Sequence, residues 1–306
     1  MPAQDYDKLI PTYKPFLKWA GGKRQLLPEI NRLIPASILK VDKFTYIEPF
    51  IGSGAMLFHI LRNFRKKVKQ AVISDINHDL IKAYTTIRDS PEPLLAQLEK
   101  ISLRYYSYAS EADRKKYFLE ERDKFNTKPD DPILNSSLLI FLNRTCYNGL
   151  FRVNSSGSFN VPFGKYKKPT IYNPELIKAV SAGLQDVIIL WGDYQQTLHY
   201  AEEPTLFYFD PPYKPITKSS SFTAYSMTSF NDAGQIRLKE FCDDITRAGH
   251  AFILSNSDVK NYEPGNLFFD KLYEDYHVER VKAKRNINSK GSERGEISEL
   301  LITNQK

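Results

Sequence analysis

The chain has 306 residues, 42% of them hydrophobic, with 43 Lys and Arg against 36 Asp and Glu and a formal charge of +7. That is enough apolar material for one large or two small domains, and the basic excess, with a pI near 9.1, suits a polyanionic partner. Two cysteines, Cys146 and Cys242, are too few for a disulfide framework, no Cys or His spacing suggests a metal site, and no apolar run reaches membrane-spanning length. The opening residues MPAQDYDKLIPTYKPF lack the basic start and apolar run of a signal peptide, so the expected setting is the cytoplasm, with no membrane contact.

In chain order, the first region ends near Asn77. It has strand-like runs at residues 44–47 and 71–74 with a helical pattern at 55–64 between them, the order of a parallel sheet. The first strand runs into Glu48-Pro49-Phe50-Ile51-Gly52-Ser53-Gly54. There Gly52 and Gly54 permit a sharp turn and a close approach to a ligand, and Phe50 offers an apolar face. Taken alone, this reads first as a plain strand-to-helix turn. The second strand ends in Ser74-Asp75-Ile76-Asn77. An acid at that position can accept hydrogen bonds from ribose hydroxyls, or simply cap the next helix. Together the two strand ends suggest a nucleoside-containing cofactor.

From about His78 to Tyr172 the pattern turns helical and charged (PLLAQLEKI, KKYFLEERDKF, LNSSLLIFLNR), then aromatic and loop-rich, with a hairpin signal at Ser156-Gly157. Strands return in VIIL, TLFYF, AFIL, HVERVKA and ISELLIT, giving seven in all, the last two placed to form an edge hairpin. At the end of TLFYF stands Asp210-Pro211-Pro212-Tyr213. Methylating an aromatic amine needs the nitrogen lone pair drawn out of the ring. Asp210 and the Pro211 carbonyl can each accept one N–H, and two fixed φ angles at Pro211 and Pro212 hold that carbonyl in place. Tyr213 can stack on a base swung out of a duplex. The competing interpretation is a rigid turn with a solvated carboxylate.

The motifs FLKWAGGK, EPFIGSG, SDIN, LNRTCYNGLFRVNSSGSFNVPFGKYKKP and FDPPY, followed by SFTAY, occur in an order that resembles the Dam-type DNA adenine methyltransferases, alpha-class enzymes that methylate GATC. The resemblance spans nearly the whole chain. It implies an α/β fold: a Rossmann-like seven-stranded S-adenosylmethionine-dependent methyltransferase sheet with an inserted, mostly helical DNA-recognition domain. Residues 1–77 and 173–306 would form the catalytic domain and 78–172 the recognition domain, with a hairpin at 151–164. The cofactor would be S-adenosyl-L-methionine, with Trp19 beside it and Lys23 offering a charge to its carboxylate. Glu48, Pro49, Phe50, Gly52 and Gly54 would line its site, Asp75 and Ile76 its ribose, and Asp193 with Tyr194 its adenine. Asp210 would face both the cofactor amino group and the target amine, with Pro211, Pro212 and Tyr213 completing the catalytic set.

Cations and aromatics interleave in the middle segment, where Arg144, Arg152, Lys165, Lys167 and Lys168 alternate with Tyr147, Phe151, Phe159, Phe163 and Tyr166, a composition that contacts bases and phosphates together. The resemblance makes Arg152 the reader of an outer guanine in the major groove. It places Tyr147, Asn148, Leu150, Asn154 and Pro162 near bases or the vacated adenine position, and Lys18 and Lys165 on phosphates. The loop KRNINSKGSERGE, with Lys284, Arg285, Lys290 and Arg294, reads equally as a phosphate contact or a solvated turn, and KPITKSSSFTAY as a flap over the target base. The expected partner is double-stranded DNA, bound by a monomer. A cognate restriction endonuclease would share the system without touching the chain. The alternatives are another DNA sequence or RNA as target, or a non-catalytic DNA-binding protein on the same scaffold. A nicotinamide dehydrogenase would need GxGxxG, which EPFIGSG does not supply.

Overall fold

A computed structural model describes residues 13–19, 23–213, 230–284 and 296–305. The expected flap KPITKSSSFTAY (214–225) and the basic residues Arg285, Lys290 and Arg294 lie outside these described residues, as do positions 1–12 and 20–22.

Seven strands form a single sheet: β1 (Phe44–Glu48), β2 (Val68–Asp75), β3 (Val187–Trp191), β4 (Thr205–Phe209), β5 (Ala251–Ser257), β6 (His277–Lys284) and β7 (Glu296–Thr303), in the order β3-β2-β1-β4-β5-β7-β6. The first five run parallel, whereas β7 pairs antiparallel with both β5 and β6. All seven were legible as apolar runs, and the last two do make the expected edge hairpin. The strands β1, β4 and β5 are buried along their whole length, as strands covered on both faces must be. Side chains alternate between two apolar layers. Tyr46, Ala71, Ile73, Leu206, Tyr208, Ile253 and Leu301 face one layer. Ile47, Val72, Phe207, Phe209, Leu254, Leu300 and Ile302 face the other.

The helices are α1 (Leu27–Arg32), α2 (Ala36–Leu39), α3 (Ala55–Phe64), α4 (His78–Asp89), α5 (Pro91–Ser107), α6 (Glu111–Asn126), α7 (Pro132–Thr145), α8 (Pro174–Leu184), α9 (Asp232–Arg247) and α10 (Phe268–Leu272). The second layer is closed by α9 and α10 through Leu238, Phe241, Ile245 and Phe269. Of the remaining helices, α7 is the most enclosed, with residues 135–143 all buried and α4, α5 and α6 packed around it. Two of its polar groups are paired inside: the Ser136 hydroxyl donates to Thr86 Oγ1 at 2.9 Å and Asn135 Nδ2 to Asp79 Oδ1 at 3.2 Å. The helix α4 touches β2 and β3 as well as α7, so one continuous apolar cluster runs from the sheet into the helices. No described helix is long and apolar enough to cross a membrane.

Candidate active site and nucleic-acid interface

Strand order reverses between β1 and β4, which pair directly with Ile47 opposite Phe207. In an open parallel sheet such a switch point opens a crevice at the carboxyl ends of the strands. Glu48, Asp75 and Asp210 all stand at that edge, with Ser255 on the neighbouring strand β5.

Asp210 follows the last residue of β4, and its side chain keeps 23% exposure. Its Oδ1 accepts a hydrogen bond from the Ser255 hydroxyl at 3.2 Å and lies 3.4 Å from the Lys23 ammonium. Burial is the main effect on its titration, and despite the Lys23 charge, which opposes the shift, the carboxyl is raised to about 6. Lys23 is buried and also donates to Glu299 Oε2 at 2.9 Å and to the Tyr213 hydroxyl. The Tyr213 hydroxyl in turn donates to Glu299 Oε2 at 3.1 Å. Pro211 is buried, and the Pro212 carbonyl accepts from Gln235 Nε2 at 3.4 Å. Behind this group, Glu48 accepts the Tyr46 hydroxyl at 2.7 Å, and burial pushes its carboxyl well above the usual range.

Gly52 and Gly54 adopt φ of +46° and +72°, a region that side chains with a Cβ disfavour. A Cβ on Gly52 would stand 3.1 Å from Trp19 Cδ1, and one on Gly54 only 2.6 Å from the Tyr84 hydroxyl. Asp75 receives the Gly52 amide at 3.2 Å and the Asn77 amide at 2.9 Å, and burial raises its carboxyl to about 6. Pro49 is buried and Phe50 half-buried, with the Phe50 ring 5.2 Å from that of Tyr194. Ile76 is exposed, and its carbonyl accepts from Trp191 Nε1 at 3.1 Å. Asp193 sits further out, capping the short helical turn after β3 through the Gln195 amide and pairing with Arg237 at 2.9 Å.

These residues fit a nucleoside with a short charged tail. Two glycines bring backbone to the edge of the crevice, a carboxylate stands at the end of the next strand, and the aromatic surfaces of Trp19 and Phe50 flank the loop.

The Trp19 ring stacks on Phe151 at 5.3 Å and 18°, which brings the first residue of the expected hairpin against the glycine loop. Across the hairpin Val153 bridges Phe159, and its returning side is tied to the end of α7, where Cys146 bridges Phe163. Phe151, Phe159 and Phe163 point into the core, so these three aromatics support the hairpin from beneath. Arg152 remains half-exposed, its Nε donating to Asn160 Oδ1 at 2.8 Å and its Nη2 to the Asn160 carbonyl at 3.3 Å. Asn154 turns back on its own loop, where Oδ1 accepts the Ser156 and Ser158 amides at 3.1 and 2.9 Å. Tyr147, Asn148, Pro162 and Lys165 are exposed and Leu150 partly so. Lys18 is exposed, with its ammonium 4.9 Å from the Tyr166 ring. Arg144, in contrast, turns inward to the Phe16 carbonyl at 2.5 Å.

Four residues of this arrangement drew no role from the sequence, although Asn143 and Asn160 lie within the motif LNRTCYNGLFRVNSSGSFNVPFGKYKKP. Glu299 and Asn160 were hidden inside a strand-like run and a hairpin run. Asn143 on α7 binds the Lys18 amide and carbonyl at 2.8 Å each and the Gly149 carbonyl at 2.9 Å. Ser255 had only its place after AFIL to mark it.

A family profile described as D12 class N6 adenine-specific DNA methyltransferase matches residues 19–287. The chain is 43% identical to the type II methyltransferase M.MjaIII of Methanocaldococcus jannaschii over 95% of its own length and 99% of that protein's. It is 34% identical to the type II methyltransferase M1.LlaDCHI of Lactococcus lactis subsp. cremoris, with 95% of each chain covered. To the DNA adenine methylase of Haemophilus influenzae it is 33% identical over 94% of this chain and 93% of that one.

Proposed function

Because the chain belongs to the D12 class N6 adenine-specific DNA methyltransferases, we propose that it methylates adenine N6 within GATC in duplex DNA, on an adenine flipped out of the helix. The observation that carries this reading is the seating of Asp210 and Tyr213 at the switch point, beside the glycine loop and within one packed unit with the Arg152 hairpin. S-adenosyl-L-methionine bound at the crevice would supply an electrophilic methyl group on a sulfonium. The residues that would hold it are Trp19, Phe50, the backbone at Gly52 and Gly54, and Asp75, with Ile76 and Asp193 on its outer side.

Asp210 and the Pro211 carbonyl each accept one N–H of the target amine, which turns the nitrogen lone pair out of the base plane. With its carboxyl at about 6, Asp210 is ionised at neutral pH and takes up the hydrogen-bonded proton as the amine is alkylated. Tyr213 supplies the ring on which the extruded adenine stacks. Arg152 reads guanine O6 and N7, a contact worth about 1–3 kcal/mol of discrimination. Tyr147, Leu150 and Pro162 line the bases, and Lys18 and Lys165 meet phosphates. Exposed Asn148 joins Tyr147 at the bases, and Asn154, which holds the hairpin turn through the Ser156 and Ser158 amides, is carried near them.

The test is transfer of labelled methyl from S-adenosylmethionine to duplexes containing GATC or a single change at each of its positions. Label confined to GATC and recovered on N6 supports the whole reading. Label in an altered site removes the specificity assignment, and no label in any duplex removes the catalytic one.

A further inference from the structure

Glu299 has no part in the roles above, yet it stands at the centre of the buried polar group. Its position follows from topology. Because β7 runs antiparallel, its first residues reach the edge at which β1, β4 and β5 end, and Glu299 pairs with Ser257 there. Alternation with Leu301 turns its side chain toward the layer that Tyr208 and Ile253 face. Glu299 and Lys23 keep only 7% and 5% exposure. Two anions therefore compete for one buried ammonium, which lies 2.9 Å from Glu299 Oε2 but 3.4 Å from Asp210 Oδ1. At this depth an ammonium with a single anionic neighbour would close onto it. Were Asp210 that neighbour, its carboxylate would be tied up in the pair. As it stands, no described residue donates to Asp210 Oδ2. The second effect is on Tyr213, whose hydroxyl receives Lys23 and donates to Glu299, so the ring is anchored at its far end.

We propose that Glu299 is a positioning residue of the transfer centre, drawing Lys23 away from Asp210 and anchoring the Tyr213 ring, so that an Asp210 oxygen stays open to the target amine. This rests on the roles given to Asp210 and Tyr213 in the preceding section. The charged and titratable groups facing Asp210 are Lys23, Glu299, Tyr213, Tyr208 on β4 and Glu48 on β1, with the Ser255 hydroxyl on β5. Among them the Glu299 charge raises the Asp210 pKa and Lys23 lowers it. Removing the Glu299 charge should therefore move the acid limb of the rate profile to lower pH even as the rate falls. A loss of folded protein alone would leave that limb in place.

The experiment compares the full-length wild type with Glu299→Gln, Glu299→Ala and Tyr213→Phe, following methyl transfer across pH 5 to 9, KM for the duplex, and duplex binding by fluorescence anisotropy. Glu299→Ala is expected to lower kcat about 100-fold and Glu299→Gln about 10-fold, with KM and binding within about threefold, as befits a loss felt mainly in the transition state. Both should show the lowered acid limb. Tyr213→Phe, which removes only the hydroxyl anchor, should lower kcat about 10-fold. A wild-type kcat and acid limb in Glu299→Gln overturns the proposal, and so does a loss confined to KM or binding. Glu299→Gln, which keeps the shape and an acceptor, decides the matter if the alanine variant does not fold. A wild type that methylates no duplex would instead remove the underlying reading, whatever the variants do.

Discussion

At the edge of the sheet, Lys23, Glu48 and Glu299 are buried and partnered, whereas in the hairpin and the turn before it Tyr147, Asn148 and Pro162 face solvent and, among the described residues, the Arg152 side chain leans on Asn160 alone. The first set of contacts is completed by folding. Its carboxylates lose water to the protein, which is why burial raises both Asp75 and Asp210 to about 6. In the function proposed above, the second set would be completed by DNA, exchanging water for base edges and phosphates at the moment of binding. Groups aligned in advance act on the rate of the chemical step. Groups that find their partner on binding act on which duplex is chosen. Substitutions in the two regions should therefore separate cleanly into kcat effects and discrimination effects.

The largest break in that comparison should come from Asp210→Ala. Transfer is expected to fall on the order of 10³-fold or more, as for the loss of a preorganised group at the reacting atom, with duplex affinity within about twofold in a mobility-shift titration. Affinity falling in parallel with rate would merge the two regions. Next in size is Arg152→Ala, expected to reduce the preference for the outer guanine by about 1–3 kcal/mol when kcat/KM is compared between GATC and a duplex altered there. An unchanged ratio would take Arg152 out of the reading set.

Acidification tests the first region without a substitution. In its proposed role Asp210 acts as the ionised form, and its carboxyl is raised to about 6, so the rate should be level above that value and fall about tenfold per pH unit below it. A rate level down to pH 5 would separate Asp210 from the observed limb. The smallest expected effect is that of Asn160→Ala. It frees the Arg152 guanidinium from a net interaction of about 1 kcal/mol, and should lower guanine discrimination about fivefold while leaving kcat on GATC unchanged. In the double variant with Arg152→Ala, the Asn160 change should add nothing further.

Much of this was legible in the chain itself, and what was missed has a common cause. The pattern at 55–64 coincides with α3 (Ala55–Phe64), and every strand-like run is a strand, because period and burial are local properties. The motif residues of the crevice were legible for a related reason. Asp75, the glycines and Asp210 all stand where a strand has just ended, and a strand end shows in the residues beside it. Glu299 stands inside ISELLIT with nothing local to distinguish it. Only the antiparallel pairing of β7 with β5, opposite Ser257, shows that it points toward Lys23. Asn143 stands inside the motif that begins LNRTCYNGL, but its partners Lys18 and Gly149 are settled by tertiary packing and do not show in it. Of the cations read as one basic series, Arg144 proves to serve the interior, held at the Phe16 carbonyl.

The grip of Asn143 on Lys18 and Gly149 bears on how such an enzyme could be given a new specificity. The end of α7 holds the strand of chain at 16–19 and the root of the hairpin in a single clasp. Trp19, the next residue along, is wedged between Gly52 and Phe151. A chimera that imports only the hairpin at 151–164 would keep its new base-reading side chains but seat them on a foreign mount. If the hairpin reads bases as proposed, the cassette to exchange would be larger and discontinuous, comprising 16–19 together with 143–164.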